Sequence, residues 1–182
     1  QMYSSQKIIA LDDSTARFLK RFMMGREVLT IYPTYSAVYE GKSVSPEISE
    51  ICKDEELVMG VVSTLKRWHD RLLFLILRLI AKKNPDIKVV IVGGSISEVR
   101  EFFRSLYIPG NMVFVRANDL ELKLLYGAAK LVIIPFFFKS VSNRLLESLY
   151  YGKPTLTNTF AKIVFNRLQH LHHVFISDRI DE

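Results

Sequence analysis

A continuous apolar run at residues 131–135 limits the folds open to this chain more than any other segment. Its sequence is LVIIP, in which three residues are β-branched and a proline ends the run. Such a run is typical of a central strand in a parallel sheet, because helices cover both faces of that strand. Residues 144–151 then have helical spacing, and Gly152 and Pro154 stand where a helix ends. The segment predicts a strand, a polar loop, a helix and a second strand in succession.

The chain alternates between strands and helices from residue 57 onward. Strands are predicted at residues 57–62, 89–92, 112–115, 131–134, 155–158 and 174–176. Helices are predicted at residues 68–83, 97–106, 119–128, 144–151 and around 162–169, the first with an apolar face of Leu72, Leu73, Ile76, Leu79 and Ile80. This alternation favours an α/β fold, a doubly wound parallel sheet with helices on both faces.

The first 50 residues have a different character. Strands are predicted at residues 7–11 and 28–32, with a helix at residues 15–24 between them. Residues 35–50 contain Gly41, Pro46 and four serines and show no periodicity, so they are predicted to be linker and loop. We therefore expect an N-terminal extension and linker over residues 1–50 and an α/β domain over residues 51–182.

Composition narrows the class of protein and its partners. The chain is 49% hydrophobic and 24% charged, which is typical of a globular domain rather than a disordered segment. One cysteine, Cys52, excludes an internal disulfide and fits a reducing, cytoplasmic location. No secretory signal is evident, and the most apolar run, residues 72–80, is too short to span a bilayer. The net charge of +6 favours an anionic partner, such as nucleotide phosphates, a polyanion or an acidic inner membrane surface.

The segment from residue 124 to 158 resembles the signature of the GT-B glycosyltransferases, in the retaining group 1 family that includes glycogen synthase. There, an LY..AD.FV.PS segment leads into a loop, an E-x7-E pattern and a G.PV..T turn. This chain has the matching residues in the same order: Leu125, Tyr126, Ala128, Ala129, Pro135, Glu147, Gly152, Pro154 and Thr155. It departs from the signature where Lys139 replaces the first glutamate, and where Ser140 and Ser142 replace the usual glycines.

The resemblance implies a Rossmann-like, nucleotide-sugar-binding domain of the kind that forms the C-terminal half of GT-B enzymes. The implied reaction is retaining transfer of a sugar from a nucleoside diphosphate donor, such as a UDP- or GDP-sugar, to a hydroxyl of an acceptor glycan or lipid. It implies no metal ion, no cofactor besides the donor substrate and no nucleic acid partner. Residues 7–32 resemble the last strand–helix–strand unit of the N-terminal domain, so the rest of that acceptor-contacting domain is an expected partner.

Ligands of open parallel α/β sheets bind outside the carboxyl ends of the strands. The candidate donor-binding residues in the loops at those ends are Lys66, Arg67, Gly93, Gly94, Arg116, Asp119, Ser140, Ser142 and Glu147. By resemblance to a GR....KG loop, Lys66 or Arg67 holds the diphosphate, while Ser63-Thr64 replace the Gly-Arg pair. The serines at 140 and 142 precede a helix, whose N-terminus attracts phosphate.

Other interpretations of these loop residues stay open. Gly93-Gly94 is also what a tight turn after a strand requires. Asp119 is also placed to be the N-cap of the helix that it starts. The histidines at positions 170, 172 and 173 lack carboxylate or cysteine companions at ligand spacing, so no metal site is predicted from His170, His172 and His173.

Glu147 and Lys139 are the candidate catalytic residues. The resemblance implies that Glu147 accepts hydrogen bonds from the donor ribose and that residue 139 faces the donor sugar. Helical spacing predicts an apolar face formed by Leu145, Leu146, Leu149 and Tyr150, which places Glu147 on the opposite side of the helix beside Arg144. The alternative is that Glu147 is a surface partner of Arg144 at i, i+3.

Two further functions are compatible with these residues. A non-catalytic nucleotide- or sugar-binding module would keep Glu147 and lose the first glutamate, as the lysine at position 139 shows. A flavodoxin-like or nucleic-acid-binding α/β domain would use the positive charge instead.

Overall fold

The computed structural model describes residues 7–11, 13–22, 26–31, 43–137 and 142–179. The strands in these ranges are β1 (Lys7–Ala10), β2 (Glu27–Thr30), β3 (Leu57–Val61), β4 (Lys88–Val92), β5 (Met112–Val115), β6 (Leu131–Ile133), β7 (Thr155–Thr157) and β8 (Phe175–Ile176). The helices are α1 (Asp13–Phe22), α2 (Pro46–Ile51), α3 (Trp68–Lys83), α4 (Ile96–Phe102), α5 (Asp119–Ala128), α6 (Asn143–Tyr150) and α7 (Phe160–Val164). The observed bounds of α3, β5 and α5 are the predicted ones.

Six strands form one parallel sheet, in the order β5-β4-β3-β6-β7-β8. After β3 the chain adds β4 and β5 on one side, and it then returns to add β6, β7 and β8 on the other side. Every pairing in this sheet is parallel, and Gly60 of β3 lies between its register partners Ile91 and Ile133. The predicted doubly wound parallel α/β sheet is confirmed, and β3 and β6 flank the point where the direction of growth reverses.

Helices cover both faces of this sheet. On one face, Leu57 and Met59 pack in a core to which α2, α5, α6 and α7 contribute. On the other face, Val58 and Val62 pack with Phe74 and other residues of α3 and α4. Successive residues of β3 therefore enter different cores, which is why the strand is apolar at every position.

Residues 46–51 form α2, where the sequence predicted a loop. Ser45 is the N-cap, its hydroxyl accepts a hydrogen bond from the Ile48 N–H, and Pro46 occupies the first turn. Ile48 and Ile51 are buried in the core. The helix is too short for periodicity to indicate it, although the Ser-Pro pair is a helix-start signal. Residues 35–42 of the predicted loop lie outside the described residues.

The helix α3 turns a different side to the sheet from the one predicted. Its buried residues are Asp70, Leu73, Phe74, Leu77 and Ala81, whereas most of the predicted face is only half-buried. Apolar residues extend around most of this helix, so periodicity did not fix its orientation.

Two other helices end earlier than predicted. The last residue of α4 is Phe102. The next residue, Phe103, has a non-helical backbone conformation, and Phe103 and Leu106 pack against the core from this non-helical segment. The last residue of α7 is Val164, and the following Phe165 packs in the core in a non-helical conformation.

The N-terminal unit β1–α1–β2 has its own two-stranded parallel sheet. Ala10, Ala16 and Val28 form its small core. On the opposite face, the register partners Ile9 and Leu29 are both exposed. The predicted strand–helix–strand pattern is confirmed within the described residues. No helix in the described part of the chain has the length and apolarity needed to cross a membrane.

Asn118, and not Asp119, is the N-cap of α5. The carboxylate of Glu121 completes the cap, since its Oε2 accepts a hydrogen bond from the Asn118 N–H at 2.9 Å. Its Oε1 accepts from the Ser45 N–H at 2.8 Å, so this buried side chain joins the starts of α2 and α5. These N–H groups, Asn118 first and Ser45 second, hold the pKa of Glu121 below its ordinary value of 4.5.

Gly93 follows β4 with a φ of 85°, a conformation that favours glycine. A Cβ at this position would lie 1.9 Å from the carbonyl oxygen of Val62. The Gly93 N–H donates to the Val115 oxygen at 2.8 Å, which fixes the backbone between its neighbours. The backbone at Gly93 therefore lies against the chain that leaves β3, and this contact leaves no room for a Cβ.

We expect Glu121→Ala to lower the free energy of unfolding by about 1–3 kcal/mol, because two backbone N–H groups lose their acceptor. Asp119→Ala is the matched control, since it removes the same charge from an exposed position in the same helical turn. The contribution of Glu121 is complete above its ordinary pKa of 4.5 and is lost as the pH falls through the lower folded-state pKa. Urea unfolding at about pH 7 and about pH 3 measures both effects. Equal losses of stability in the two variants would contradict this role.

We expect Gly93→Ala to lower the free energy of unfolding by on the order of 1–3 kcal/mol from backbone strain alone, with the steric clash added to it. Gly110→Ala is the control, because a Cβ at Gly110 meets no atom within 4 Å. Thermal unfolding of both variants measures the difference. The expectation is wrong if Gly93→Ala melts at or above the temperature of Gly110→Ala.

Candidate functional site

A cavity of about 320 Å³ opens between the carboxyl ends of β3 and β6, and we call it the switch-point cavity. Its walls include the chain after β3, the first turn of α3, the chain after β6 and the start of α6. Its lining side chains include Ser63, Arg67, Asp70, Phe137, Ser142 and Arg144. The two strands belong to opposite halves of the sheet, and open α/β sheets bind their ligands at such a point.

Two acids hold the loop between β3 and α3. Asp70 accepts hydrogen bonds from the Ser63 hydroxyl at 2.7 Å and from the Thr64 N–H at 3.2 Å. Glu98 of α4 accepts from the Thr64 hydroxyl at 2.9 Å and from the Leu65 N–H at 3.5 Å. The residues that replace the Gly-Arg pair therefore fix the loop through side-chain hydrogen bonds.

Arg67 and Lys66 are separated by this loop geometry. Arg67 is the N-cap of α3, makes no capping bond with its side chain, and lines the switch-point cavity. Lys66 is exposed and is not among the described lining residues. Of the two predicted cations, Arg67 is the one brought to the cavity.

The start of α6 forms the opposite wall. Ser142 is the N-cap, and its hydroxyl accepts no hydrogen bond from the first turn of the helix. Ser142 and Arg144 both line the switch-point cavity. The predicted site residues Lys139 and Ser140 lie outside the described residues.

Glu147 is buried, with 6% of its surface exposed, whereas the sequence placed it on the side of α6 away from the apolar face. Tyr150, predicted to lie on the apolar face, is 58% exposed. The helix is therefore rotated about its axis relative to the prediction. The carboxylate can be buried because Arg144 and Tyr126 donate hydrogen bonds to it. Nη1 of Arg144 donates to its two oxygens at 3.1 and 2.9 Å, and the hydroxyl of Tyr126 donates to Oε2 at 3.0 Å. The i, i+3 pair with Arg144 is present, but its acid is buried instead of lying on the surface.

The other predicted residues follow neighbouring strands and are not among the described lining residues of the cavity. Gly93 and Gly94 follow β4, and both have positive φ values, of 85° and 63°. Arg116 follows β5 and is exposed, and Asp119 is an exposed residue at the start of α5. The structure therefore brings Arg67 and Ser142 together in the cavity and leaves these four residues at other loops of the same sheet edge.

The sequence prediction missed several residues of the cavity wall. Asp70 gave one signal, as an acid in the first turn of a predicted helix. Arg144 was considered only as a partner of Glu147, because nothing local shows that it reaches a cavity. Trp68 packs against Phe137 with ring centroids 5.2 Å apart, which gives the cavity an aromatic side.

Two of the three clustered histidines accept hydrogen bonds from nearby backbone N–H groups. Nδ1 of His170 accepts a hydrogen bond from the Ile176 N–H at 2.9 Å. Nδ1 of His173 accepts from the Gln169 N–H at 3.1 Å, and its ring lies 4.5 Å from that of His172. Among the described residues, no three His, Cys, Asp or Glu side chains come together as a set of metal ligands.

Comparison with solved structures gives the same fold. Sucrose-phosphate synthase (tll1590) from Thermosynechococcus elongatus is similar with a TM-score of 0.68 and 16% identity, over 98% of this chain and 47% of that chain. TarM gives a TM-score of 0.66 and 13% identity, over 98% of this chain and 35% of that chain. The pneumococcal O-GlcNAc transferase GtfA, solved with UDP and GlcNAc, gives 0.61 and 15%, over 87% of this chain and 31% of that chain. The chain spans less than half the length of each.

A family model matches more of the sequence than residues 124–158, the segment that carries the resemblance. Among curated proteins, no sequence match is found. The model of the family described as glycosyl transferases group 1 matches residues 56–171, which is more than half of the chain. Together with the GT-B fold of its structural neighbours, this match shows that the chain belongs to the group 1 glycosyl transferases, as a Rossmann-like domain of the GT-B C-terminal type.

Proposed function

We propose that this chain is the donor-binding part of a glycosyltransferase and holds the diphosphate of a nucleotide sugar in the switch-point cavity. The observation that carries the proposal is the convergence of Arg67 and Arg144 on one cavity. They come from the starts of two different helices, α3 and α6. Helix N-termini and guanidinium groups both favour an anion between them.

The charge of the cavity supports a phosphate ligand. The described lining carries two arginines and one acid, Asp70. Asp70 already accepts from the Ser63 hydroxyl and the Thr64 N–H. Arg144 uses Nη1 for Glu147, and its Nε and Nη2 have no acceptor among the described residues. Charge-assisted donors are therefore available on both sides of the cavity.

The proposed reaction breaks the bond between the anomeric carbon and the diphosphate and forms a bond from that carbon to an acceptor oxygen. The diphosphate leaves with the bonding electrons, and its leaving oxygen takes up the proton that the acceptor hydroxyl loses. Arg67 and Arg144 would stabilise the charge on the leaving diphosphate, which is the task that a metal ion performs in other sites. Retention of configuration and independence from a metal ion belong to this proposal.

A uridine or guanosine diphosphate sugar is the proposed donor. GtfA, whose fold this chain shares, was solved with UDP and GlcNAc, which supports a uridine donor. The acceptor, a glycan or lipid, would bind to a separate N-terminal half at the cytoplasmic side of a membrane. The exposed apolar pair Ile9 and Leu29 marks the sheet face on which that half would pack.

A second candidate function is a module that binds the donor without catalysis. Lys139 favours it, because a cation where the resembled signature has an acid would oppose positive charge at the reacting carbon. Turnover of a UDP- or GDP-sugar, measured as release of the diphosphate, separates the two candidates.

We expect the chain to bind UDP or GDP more tightly than the monophosphate by about tenfold or more, since a second phosphate adds charged hydrogen bonds of about 1.5–3 kcal/mol. Isothermal titration calorimetry with diphosphate, monophosphate and nucleoside measures this difference. Equal affinity for all three ligands would remove the phosphate site from the proposal.

We expect Arg67→Ala to weaken diphosphate binding by about tenfold or more, because it removes one charged donor from the cavity. Lys66→Ala is the matched control, since it removes an adjacent charge that does not line the cavity. The same titration with both variants distinguishes a specific contact from a general loss of positive charge. A larger effect for Lys66→Ala would show that the loop presents the other cation to the ligand.

A further inference from the structure

The carboxylate of Glu147 is already hydrogen-bonded within the chain. Nη1 of Arg144 donates to both oxygens, and the hydroxyl of Tyr126 donates to Oε2. Tyr126 is fully buried and Glu147 is 6% exposed. A carboxylate in this state offers little surface to the two hydroxyls of a ribose.

Arg144 has the complementary position. Its side chain is 44% exposed and lines the switch-point cavity. Glu147 is not among the described residues that line this cavity. A guanidinium group has five donors in a planar fork, so it can bond one anion through Nη1 and another through Nε and Nη2. An arginine held at one nitrogen also loses less conformational freedom when it binds a second anion.

We infer that Glu147 is a positioning residue for Arg144, and that Arg144 contacts the donor through a phosphate. The inference rests on the proposed function, in which the cavity holds a diphosphate. It differs from the role that the family resemblance implies, where the glutamate itself accepts from the ribose. The anchored arginine adds a charged donor beside the N-terminus of α6, where the Ser142 hydroxyl accepts no capping hydrogen bond.

Inorganic pyrophosphate separates the two roles, because it has the two phosphates of the donor and no ribose. The experiment titrates the whole chain calorimetrically with pyrophosphate and with UDP. The variants are Glu147→Gln, Arg144→Gln and the double variant, with Glu101→Gln as the control for loss of one exposed acid. Thermal unfolding of each variant reports whether it is folded at the temperature of the titration.

We expect Glu147→Gln to weaken pyrophosphate and UDP binding by the same factor, about tenfold. Arg144→Gln should weaken both ligands at least as much. The double variant should bind both ligands as Arg144→Gln does, because a residue that acts only through Arg144 has no effect once Arg144 is gone. A purely structural role of Glu147 would instead give losses that add in the double variant.

Other outcomes overturn the inference in distinct ways. If Glu147→Gln loses UDP affinity and keeps pyrophosphate affinity, Glu147 contacts the ribose, and the proposed function stands without the inference. If the wild-type chain binds neither ligand, both the proposed function and the inference fail. If Glu147→Gln does not fold, the half-exposed Arg144 still provides the test, because unchanged pyrophosphate affinity in Arg144→Gln overturns the inference.

Discussion

The position of β3 between β4 and β6 determines where this protein can bind a ligand. Because the sheet grows away from β3 in both directions, the chain leaving β3 and the chain leaving β6 diverge and open a crevice. The helix α3 packs on one face of the sheet and α6 on the other. Their first turns thus approach the same crevice from opposite faces, and each contributes an arginine to its wall.

Three buried acids and the half-buried Glu98 organise the loops at this edge of the sheet. Asp70 and Glu98 fix the loop after β3, Glu121 joins the starts of α2 and α5, and Glu147 holds Arg144. Each of these carboxylates is compensated by N–H, hydroxyl or guanidinium donors, as buried charges must be. The chain's own donors satisfy these carboxylates, and Glu147 offsets part of the positive charge of Arg144, whose Nε and Nη2 have no acceptor among the described residues.

The sequence predicts well those features that depend on local patterns and poorly those that depend on distant contacts. The apolar runs of β3, β4 and β6 identify a sheet covered on both faces, and the bounds of α5 follow from polar residues at its start. The orientation of α6 could not be predicted, because the burial of Glu147 depends on the hydroxyl of Tyr126, 21 residues earlier. The short helix α2 has too few turns for periodicity, and adjacent Lys66 and Arg67 are separated only by the geometry of their loop.

The departures from the glycosyltransferase signature are connected in space rather than independent. Ser63 and Thr64, which replace the Gly-Arg pair, donate hydrogen bonds to acids and tie the loop after β3 to α3 and α4 instead of supplying a cation. A cation is present across the cavity, where Arg144 lies three residues before Glu147 on α6. That same arginine occupies the carboxylate of Glu147, the residue of this segment that matches the signature's second acid. A matched motif residue thus keeps its position in the fold while a neighbouring side chain occupies the oxygens of its carboxylate.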